Sequence, residues 1–518
     1  MNNSALPKNW QVWPLADVGT WLGGGTPSKA DNRYWRGHIP WVSPKDMKAL
    51  SIVDTEDHIS EEAVESSAAK IIPPGSVIFV TRSGILAHSF PVATTESELA
   101  VNQDLKAITP EPVIDTQYLA WCLRAHARLI LDNCTKDGTT VQSIEVPSLK
   151  SYQVPIAPLN EQRRIVAKIE ELFSELDKGV ESLKIARDQL KVYRQAVLKH
   201  AFEGKLTAQW REKHKDKSES ADHLIARINV EREARCQQEL AEWKTAVKEW
   251  DAKDYKGKKP SKPTKPYEVN IMSSERLPKL PRGWVWVRYG DLCSVVRNGI
   301  STKPQGATGK KIFRISAVRP MEFDLGDVRY IDDSAHDFSD YYLKRGDLVF
   351  TRYNGSRPYV GVCAEYKSDG PHLYPDKLIR TTLDTPYVLS GYIEKAVNCG
   401  ASRHFIEGMI RTTAGQSGVS GSDIKNIPIP LCDPHEQAII RDLVDGELSR
   451  VSNFLADIEQ GLNQSEALRQ SILKKAFSGE LVAQNPKDEP ASVLLERIKA
   501  EKAEQNKDNK NNKRKDAA

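Results

Sequence analysis

Two carboxylates and a lysine offer the chain its nearest approach to a catalytic centre. Pro375-Asp376, with Asp423-Ile424-Lys425 farther on, has the order of a metal-dependent nuclease, in which the acids would hold a divalent cation and the lysine would steady developing charge. A Pro-Asp with a distant Asp-x-Lys arises by chance in many chains of this length. His404 and His435 are residues of general-base type, yet a surface or capping role suits each better. No GxGxxG follows a strand, and no Asn-Pro-Pro-aromatic signature of an amino-methyltransferase is present. Gly306-Ala307-Thr308-Gly309-Lys310-Lys311 has the wrong spacing for a phosphate loop and lacks Ser or Thr after the lysine. The run Gly23-Gly24-Gly25-Thr26-Pro27-Ser28-Lys29 also misses that spacing and is expected to be a flexible surface loop. The 7 cysteines are scattered without a CxxC pair, so a zinc site and a disulfide framework are not indicated, and buried or incidental thiols are expected.

Behind these weak sites stands an internal repeat. Pro155 to Gln209 lies without a gap on Pro430 to Gln484: Glu161-Gln162 falls on Glu436-Gln437, Arg194-Gln195 on Arg469-Gln470, and Ala208-Gln209 on Ala483-Gln484. The chain is therefore two copies of one unit. An enzyme would need its catalytic set in only one place, whereas here everything prominent is duplicated.

Each repeated stretch has the period of a long amphipathic helix. The first carries apolar or small residues at Ile165, Ile169, Leu172, Leu176, Val180, Leu183, Ala186, Leu190, Val197 and Ala201. The second carries them at Ile440, Val444, Leu448, Val451, Leu455, Ile458, Leu462, Ile472 and Ala476. Steps of three and four sustained this long describe a coiled-coil seam, and two matching seams in one chain favour pairing with each other over packing on their own domains. Asp433-Pro434-His435-Glu436 has the form of a capping box, with Glu436 reaching back, while Asn160 is the expected cap of the first helix. Gly204 and Gly479 supply stops.

Ahead of each helix lies a mixed α/β region. Leu6-Pro7-Lys8-Asn9-Trp10-Gln11-Val12-Trp13 predicts a short strand, and Leu280-Pro281-Arg282-Gly283-Trp284-Val285-Trp286 repeats it. A strand ending near Val80 delivers Thr81, Arg82 and Ser83 to a loop at Gly84, and Arg345 to Arg352 echoes it with a one-residue slip. Tyr118 to Ile130 has helical period. These readings give an α+β chain: a first mixed α/β domain at 1–154; a central helical region at 155–275, with a long helix at 160–203, a short helix near 220–250 and a Lys/Pro-rich linker at 253–266; a second mixed α/β domain at 276–429; a C-terminal helical region at 430–504; and a disordered basic tail at 505–518. Two mixed α/β domains would be joined by two long helices in an antiparallel coiled coil, as a pseudo-twofold internal repeat.

A shared scaffold with divergent loops suits one task performed on two targets. Two such domains about a pseudo-twofold axis match the near-dyad symmetry of double-stranded DNA, one half-site each. Candidate DNA-binding residues in the first domain are Lys29, Arg33, Lys45, Arg82, Ser83, Lys136, Thr139 and Gln142. In the second they are Lys303, Gln305, Arg314, Arg352, Asn354, Arg357, Arg403, Arg411 and Gln416. Arginine suits guanine edges, Asn and Gln suit adenine, and lysine suits phosphate. No bilayer-spanning apolar run or basic-headed leader is evident, which points to a cytoplasmic protein without membrane contact. The net charge of +4 conceals basic segments at Lys253 to Lys265 and Lys499 to Lys515.

The order of parts then resembles a known family. A variable domain, a helix opened by Glu-Gln, the ending Arg-Gln-x-(Val/Ile)-Leu-Lys-x-Ala-Phe-x-Gly-x-Leu-x-Ala-Gln, and a second domain and helix of the same kind are similar to the DNA specificity subunit of Type I restriction-modification systems. Gly24-Gly25-Thr26-Pro27-Ser28, Tyr34-Trp35 and Ile39-Pro40-Trp41-Val42 also look like that family's first recognition domain. The resemblance implies two target-recognition domains reading a bipartite asymmetric sequence, two modification (methyltransferase) subunits as partners, and two restriction subunits in the full complex. It implies no cofactor on this chain, with S-adenosylmethionine, ATP and Mg on the partners, and no catalysis by the chain itself. The charged segment from about Trp210 to Pro266 departs from the pattern. A stand-alone metal-dependent nuclease and a coiled-coil protein-interaction scaffold are the competing readings.

Overall fold

The computed structural model describes residues 6–136, 142–252, 259–263, 268–332, 336–413 and 415–500. The expected tail at 505–518 lies outside them, as does most of the linker at 253–266. The chain is α+β and divides into two compact units, residues 1–185 with 458–518 and residues 186–457.

In the first unit, strand Gln11–Pro14 pairs antiparallel with Gln153–Ile156, so the domain closes on itself just before the long helix begins. A five-stranded sheet runs in the order Gly19–Gly23, Leu105–Pro110, Val77–Val80, Val92–Thr95, Ser51–Ile52. Its central strand, Val-Ile-Phe-Val, is buried at every position and so reads as a continuous apolar run. Gly75, at φ +77°, makes the turn into it, a conformation that favours glycine. Tyr118 to Ile130 forms two helices, Thr116–Ala125 and Ala127–Cys134, where one was expected. The chain breaks at His126, whose ring is buried against Tyr152 and Phe477. Burial lowers its pKa to about 4, so the ring packs as a neutral group.

The second unit repeats this plan. Val285–Arg288 pairs with Pro428–Leu431 just before the second long helix. Cys293–Asn298, Leu378–Leu383, Leu348–Thr351 and Cys363–Glu365 lie in the order that four strands of the first sheet follow. Ser390–Val397 and Gly400–Met409 answer to the two helices. Helix Ala221–Ala252, close to the short helix expected near 220–250, packs Leu224, Ile225 and Ile228 into this unit's core, and Arg232 and Arg235 both grip Asp384.

The long helices run Leu159–Phe202 and Pro434–Phe477. Gly204 and Gly479 take φ +71° and +78° just beyond them and end each helix as expected. The starts differ from expectation. Asn160 lies inside the first helix, because the Pro158 carbonyl accepts from the Glu161 and Gln162 amides, both at 2.9 Å. Asp433 does cap the second, its Oδ1 accepting from the His435 and Glu436 amides, but Glu436 does not reach back. Its carboxylate accepts instead from Trp284 Nε1 at 2.8 Å, Thr207 Oγ1 at 2.6 Å and Arg211 Nη1 at 2.5 Å. Glu161 likewise accepts from Trp10 Nε1 at 3.0 Å and Gln484 Nε2 at 2.5 Å. Burial pushes the Glu161 carboxyl pKa up while these hydrogen bonds pull it down.

Within the first unit the two helices run antiparallel. Asp177 pairs with Arg469, and Leu183 lies against Gly461. In the second unit Tyr193 Oη donates to Glu447 at 3.1 Å. The seam residues Ile165, Ile169, Val197, Ala201, Ile440, Val444, Val451, Ile458, Ile472 and Ala476 are buried. Leu172, Leu176, Val180, Leu183, Ala186, Leu190, Leu448, Leu455 and Leu462 are half-buried.

Candidate nucleic-acid interface

The glycine run is packed where a flexible surface loop was expected. The Gly25 amide donates to the Val101 carbonyl at 3.0 Å, and a Cβ on Gly24 would stand 2.0 Å from the same oxygen. Only glycine permits that approach. Thr26 then reaches Gln103, which joins this loop to the polar corner Asn102-Gln103-Asp104 between two strands. In the second unit the Ile300 amide donates to the Tyr374 carbonyl at 3.0 Å, and Gly299 is pressed against the same residue.

Above that corner each unit builds a small antiparallel patch. In the first, Thr135–Lys136 pairs with Ser143–Ile144, and Ser143 also bridges Arg82, so Lys136, Ser143 and Arg82 stand in one cross-strand row. In the second, Arg411, Gly418 and Tyr353 form the corresponding row. The shift that lays Glu161 on Glu436 lays Lys136 on Arg411 and Ser143 on Gly418. Backbone bonds agree: Ile144 N–H donates to Thr81 O at 2.8 Å, and Val419 N–H to Arg352 O at 2.9 Å. The two frames are alike, and their side chains differ.

Four candidates of the first unit, Arg82, Ser83, Gln142 and Lys136, are brought together here. Arg82 donates its Nε–H to Asp104 Oδ1 at 2.7 Å, the Ser83 amide donates to the Gln142 carbonyl at 3.2 Å, and the Ser83 hydroxyl caps the turn Gly84–Ala87. Lys136 adjoins them, 3.9 Å from Glu145. Thr139 lies outside the described residues. Arg33 pairs with Asp31 and Glu62, and Lys45 with Glu56 and Asp57, around a separate small core that contains Ile39, Trp41 and Ile59. These carboxylates hold both basic groups above their ordinary pKa values. Lys29 is exposed next to Ser28, whose carbonyl takes Trp35 Nε1.

In the second unit Arg352, Asn354, Arg411 and Gln416 share the corresponding patch. The Arg352 guanidinium lies 4.8 Å from the Tyr353 ring centre and donates to the Asp376 carbonyl at 3.3 Å. Asn354 Oδ1 accepts from the Ser356 amide. Arg403 instead clasps the neighbouring turn, donating to the carbonyls of Pro358 and Val360 and to Glu407, and Arg357 donates to the Glu407 carbonyl. Arg314 faces Asp327 at 3.5 Å, Gln305 bridges Ile331, and Lys303 is exposed.

Asn102, Gln103, Asp104, Lys106, Tyr353 and Lys377 also lie beside the two patches, and none is among the residues that the sequence singles out. The first four interrupt the apolar runs Leu99-Ala100-Val101 and Ala107-Ile108, a break that marks a strand-to-strand corner. Burial lowers the Lys106 ammonium pKa.

Of the nuclease set, Asp423 is committed to a helix cap. Asp423 Oδ2 accepts from the Ser420 amide and hydroxyl as part of a capping box, and the Asp376 amide donates to Ile300 O. Among the described residues no three His, Cys, Asp or Glu side chains converge on one point. His404 and His435 are exposed on helices. All 7 cysteines are free thiols, six of them buried and Cys293 half-buried. No helix among the described residues is long and apolar enough to cross a membrane.

Residues 7–184 match a family described as the Type I restriction modification DNA specificity domain. Over 97% of both chains the sequence is 28% identical to the Type I restriction enzyme EcoKI specificity subunit of Escherichia coli strain K12. It is 25% identical, again over 97% of both, to the StySPI specificity subunit of Salmonella potsdam. To the EcoR124I/EcoR124II specificity subunit of Escherichia coli it is 37% identical across 35% of this chain and 46% of that one. The fold is similar to a chain from a structure of type I R-M system assembly and conformational transition, with a TM-score of 0.61 at 17% identity, covering 92% of this chain and 99% of that one. It is also similar to the HsdS subunit from Thermoanaerobacter tengcongensis, with a TM-score of 0.50 at 17% identity, covering 93% and 99%.

Proposed function

We propose that this chain, a homologue of Type I specificity subunits along nearly its whole length and the bearer of their DNA specificity domain at 7–184, reads a bipartite asymmetric DNA target. Each unit would take one half-site. The observation that carries this reading is the repeated cross-strand row, Lys136-Ser143-Arg82 in one unit and Arg411-Gly418-Tyr353 in the other. One backbone frame with different side chains is what two unlike half-sites require. Arg82, Gln142, Arg352, Asn354 and Gln416 are the proposed base readers, and Lys136 and Arg411 the phosphate anchors. Lys29, Arg33, Lys45 and Lys303 would meet DNA at the edges.

On this reading the chain is not catalytic. Two modification subunits would bring S-adenosylmethionine, and two restriction subunits would bring ATP and Mg. The long helices would pair as an antiparallel coiled coil that serves as spacer and as a platform for those partners, in the cytoplasm. Exchange of residues 1–154 for those of a relative tests it. The methylated motif, mapped in cells that also carry the partner subunits, should change in one half while the other half and the gap persist. A wholly new motif, or an unchanged one, would contradict the assignment.

A further inference from the structure

Arg82 is held in an unusual way for an exposed arginine. Its side chain is 60% exposed, while that of Asp104, which takes its Nε–H at 2.7 Å, is only 19% exposed. Asp104 is itself fixed from two sides. Its amide donates to Asn102 Oδ1 at 3.0 Å, and its Oδ2 accepts from Asn102 Nδ2 and Gln103 Nε2, both at 3.3 Å. The Arg82 backbone is fixed as well, by the bridge to Ser143 and by the Arg82 N–H to Asp104 O bond at 3.2 Å.

This arrangement divides the guanidinium. Nε is committed to Asp104, and the two Nη nitrogens form no hydrogen bond with any described residue. What remains outward is a planar edge of two donors, which matches two acceptors side by side. The O6 and N7 atoms of guanine in the major groove are such a pair, whereas adenine places a donor amine beside its N7. Phosphate oxygens are also paired acceptors, but the Asp104 carboxylate beside Arg82 repels a second anion and leaves a neutral base edge the better partner. The clamp also removes rotamer freedom that an unsupported arginine would lose on binding.

We propose that Arg82 reads a guanine in the half-site of the first unit and that Asp104 is its positioning residue. The inference rests on the DNA-reading function proposed above. The second unit is built to read something else at this place. Arg352 N–H donates to Lys377 O at 2.8 Å as Thr81 N–H donates to Asp104 O at 2.7 Å, which puts Lys377 in the position of Asp104 and Tyr353 in that of Arg82. A buttressed arginine is thus present in one frame and replaced in the other.

The test uses the full chain assembled with its modification subunits. Arg82→Lys keeps the charge but loses the fork, and Asp104→Asn keeps the shape but loses the clamp's charge. Mapped methylation should show a single guanine position in one half-site relaxed in Arg82→Lys, and the same position relaxed to a smaller extent in Asp104→Asn. The other half-site should be read as before, which also reports that the variant is folded. In binding to duplexes, replacing that guanine by 7-deazaguanine should weaken the wild type roughly ten- to a hundred-fold and leave Arg82→Lys nearly unaffected. An intact motif with uniformly weaker methylation would mark a phosphate contact and overturn the proposal, as would unchanged methylation. A motif that does not depend on this chain at all would instead overturn the function on which the proposal rests.

Discussion

Lys136 and Arg411 stand opposite Ser143 and Gly418 in two small sheets of the same register, and neither is buried. A cation conserved in place while its neighbours differ suits the part of DNA that does not vary, the phosphate backbone. Each should therefore contribute affinity without selecting a base. In Lys136→Ala, binding is expected to weaken to a similar degree on cognate and non-cognate duplexes, and the slope of log K against log salt should fall in magnitude by about 1. A titration of the assembled complex over salt concentration measures this; a change in motif would move Lys136 among the base readers. At this scale the sequence was only half legible. Arg82 and Lys136 stood out as basic residues in presumed loops, but no local pattern ties either to Ser143 or Asp104. Those partners arrive through strand pairing between distant segments, and the hairpin that carries Lys136 has no long alternating run to announce it.

Elements explain why Glu-Gln opens both long helices. Gln162 accepts from the Asp115 amide and donates to the carbonyls of Val113 and Ala157, and Gln437 does the same with Leu389, Tyr387 and Cys432. Each glutamine thereby stitches its helix to two loops. Each glutamate receives the indole of the tryptophan just before its domain's first strand, so the domain's beginning is fastened to its end. Glu436 is buried, and its three donors offset the cost of removing its carboxyl oxygens from water. Trp284→Phe keeps an aromatic side chain, though a smaller one, and deletes one donor. It should destabilise the second unit by roughly 1.5–3 kcal/mol, the range for hydrogen bonds to charged groups. Denaturant unfolding would measure it, and a loss below about 0.5 kcal/mol would show that water or Arg211 replaces the indole. Helix lengths and stops were legible because a 3.6-residue period and a terminal glycine are local signals. The capping roles of Asn160 and Glu436 were misread because a glutamate three residues past a cap also fits a capping box, and only tertiary packing shows that Trp284, Thr207 and Arg211 claim it.

For the whole molecule, the boundary between the compact units falls within both long helices, at Ile185/Ala186 in one and Asp457/Ile458 in the other. Each helix therefore contributes its beginning to one unit and its end to the other, and no loop marks the division. If the pair is the spacer proposed above, lengthening both helices at that boundary should lengthen the gap in the recognised sequence. Seven residues added to each would extend the pair by about 10.5 Å at 1.5 Å per residue, close to three base pairs at 3.4 Å each. A heptad turns the seam by only about 20°, so apolar faces stay opposed and the helices can still pair. Four residues turn it by about 40° the other way and give a less favourable seam. With heptads after Ile185 and Asp457, both half-sites should persist while the gap in the methylated motif grows by about three base pairs. With one heptad in a single helix, the pairing that brings Asp177 to Arg469 in the first unit and Tyr193 to Glu447 in the second cannot be kept in both, and assembly should fail. Full methylation at the original gap after paired insertion would mean that the helices hold the units together without setting the distance between half-sites.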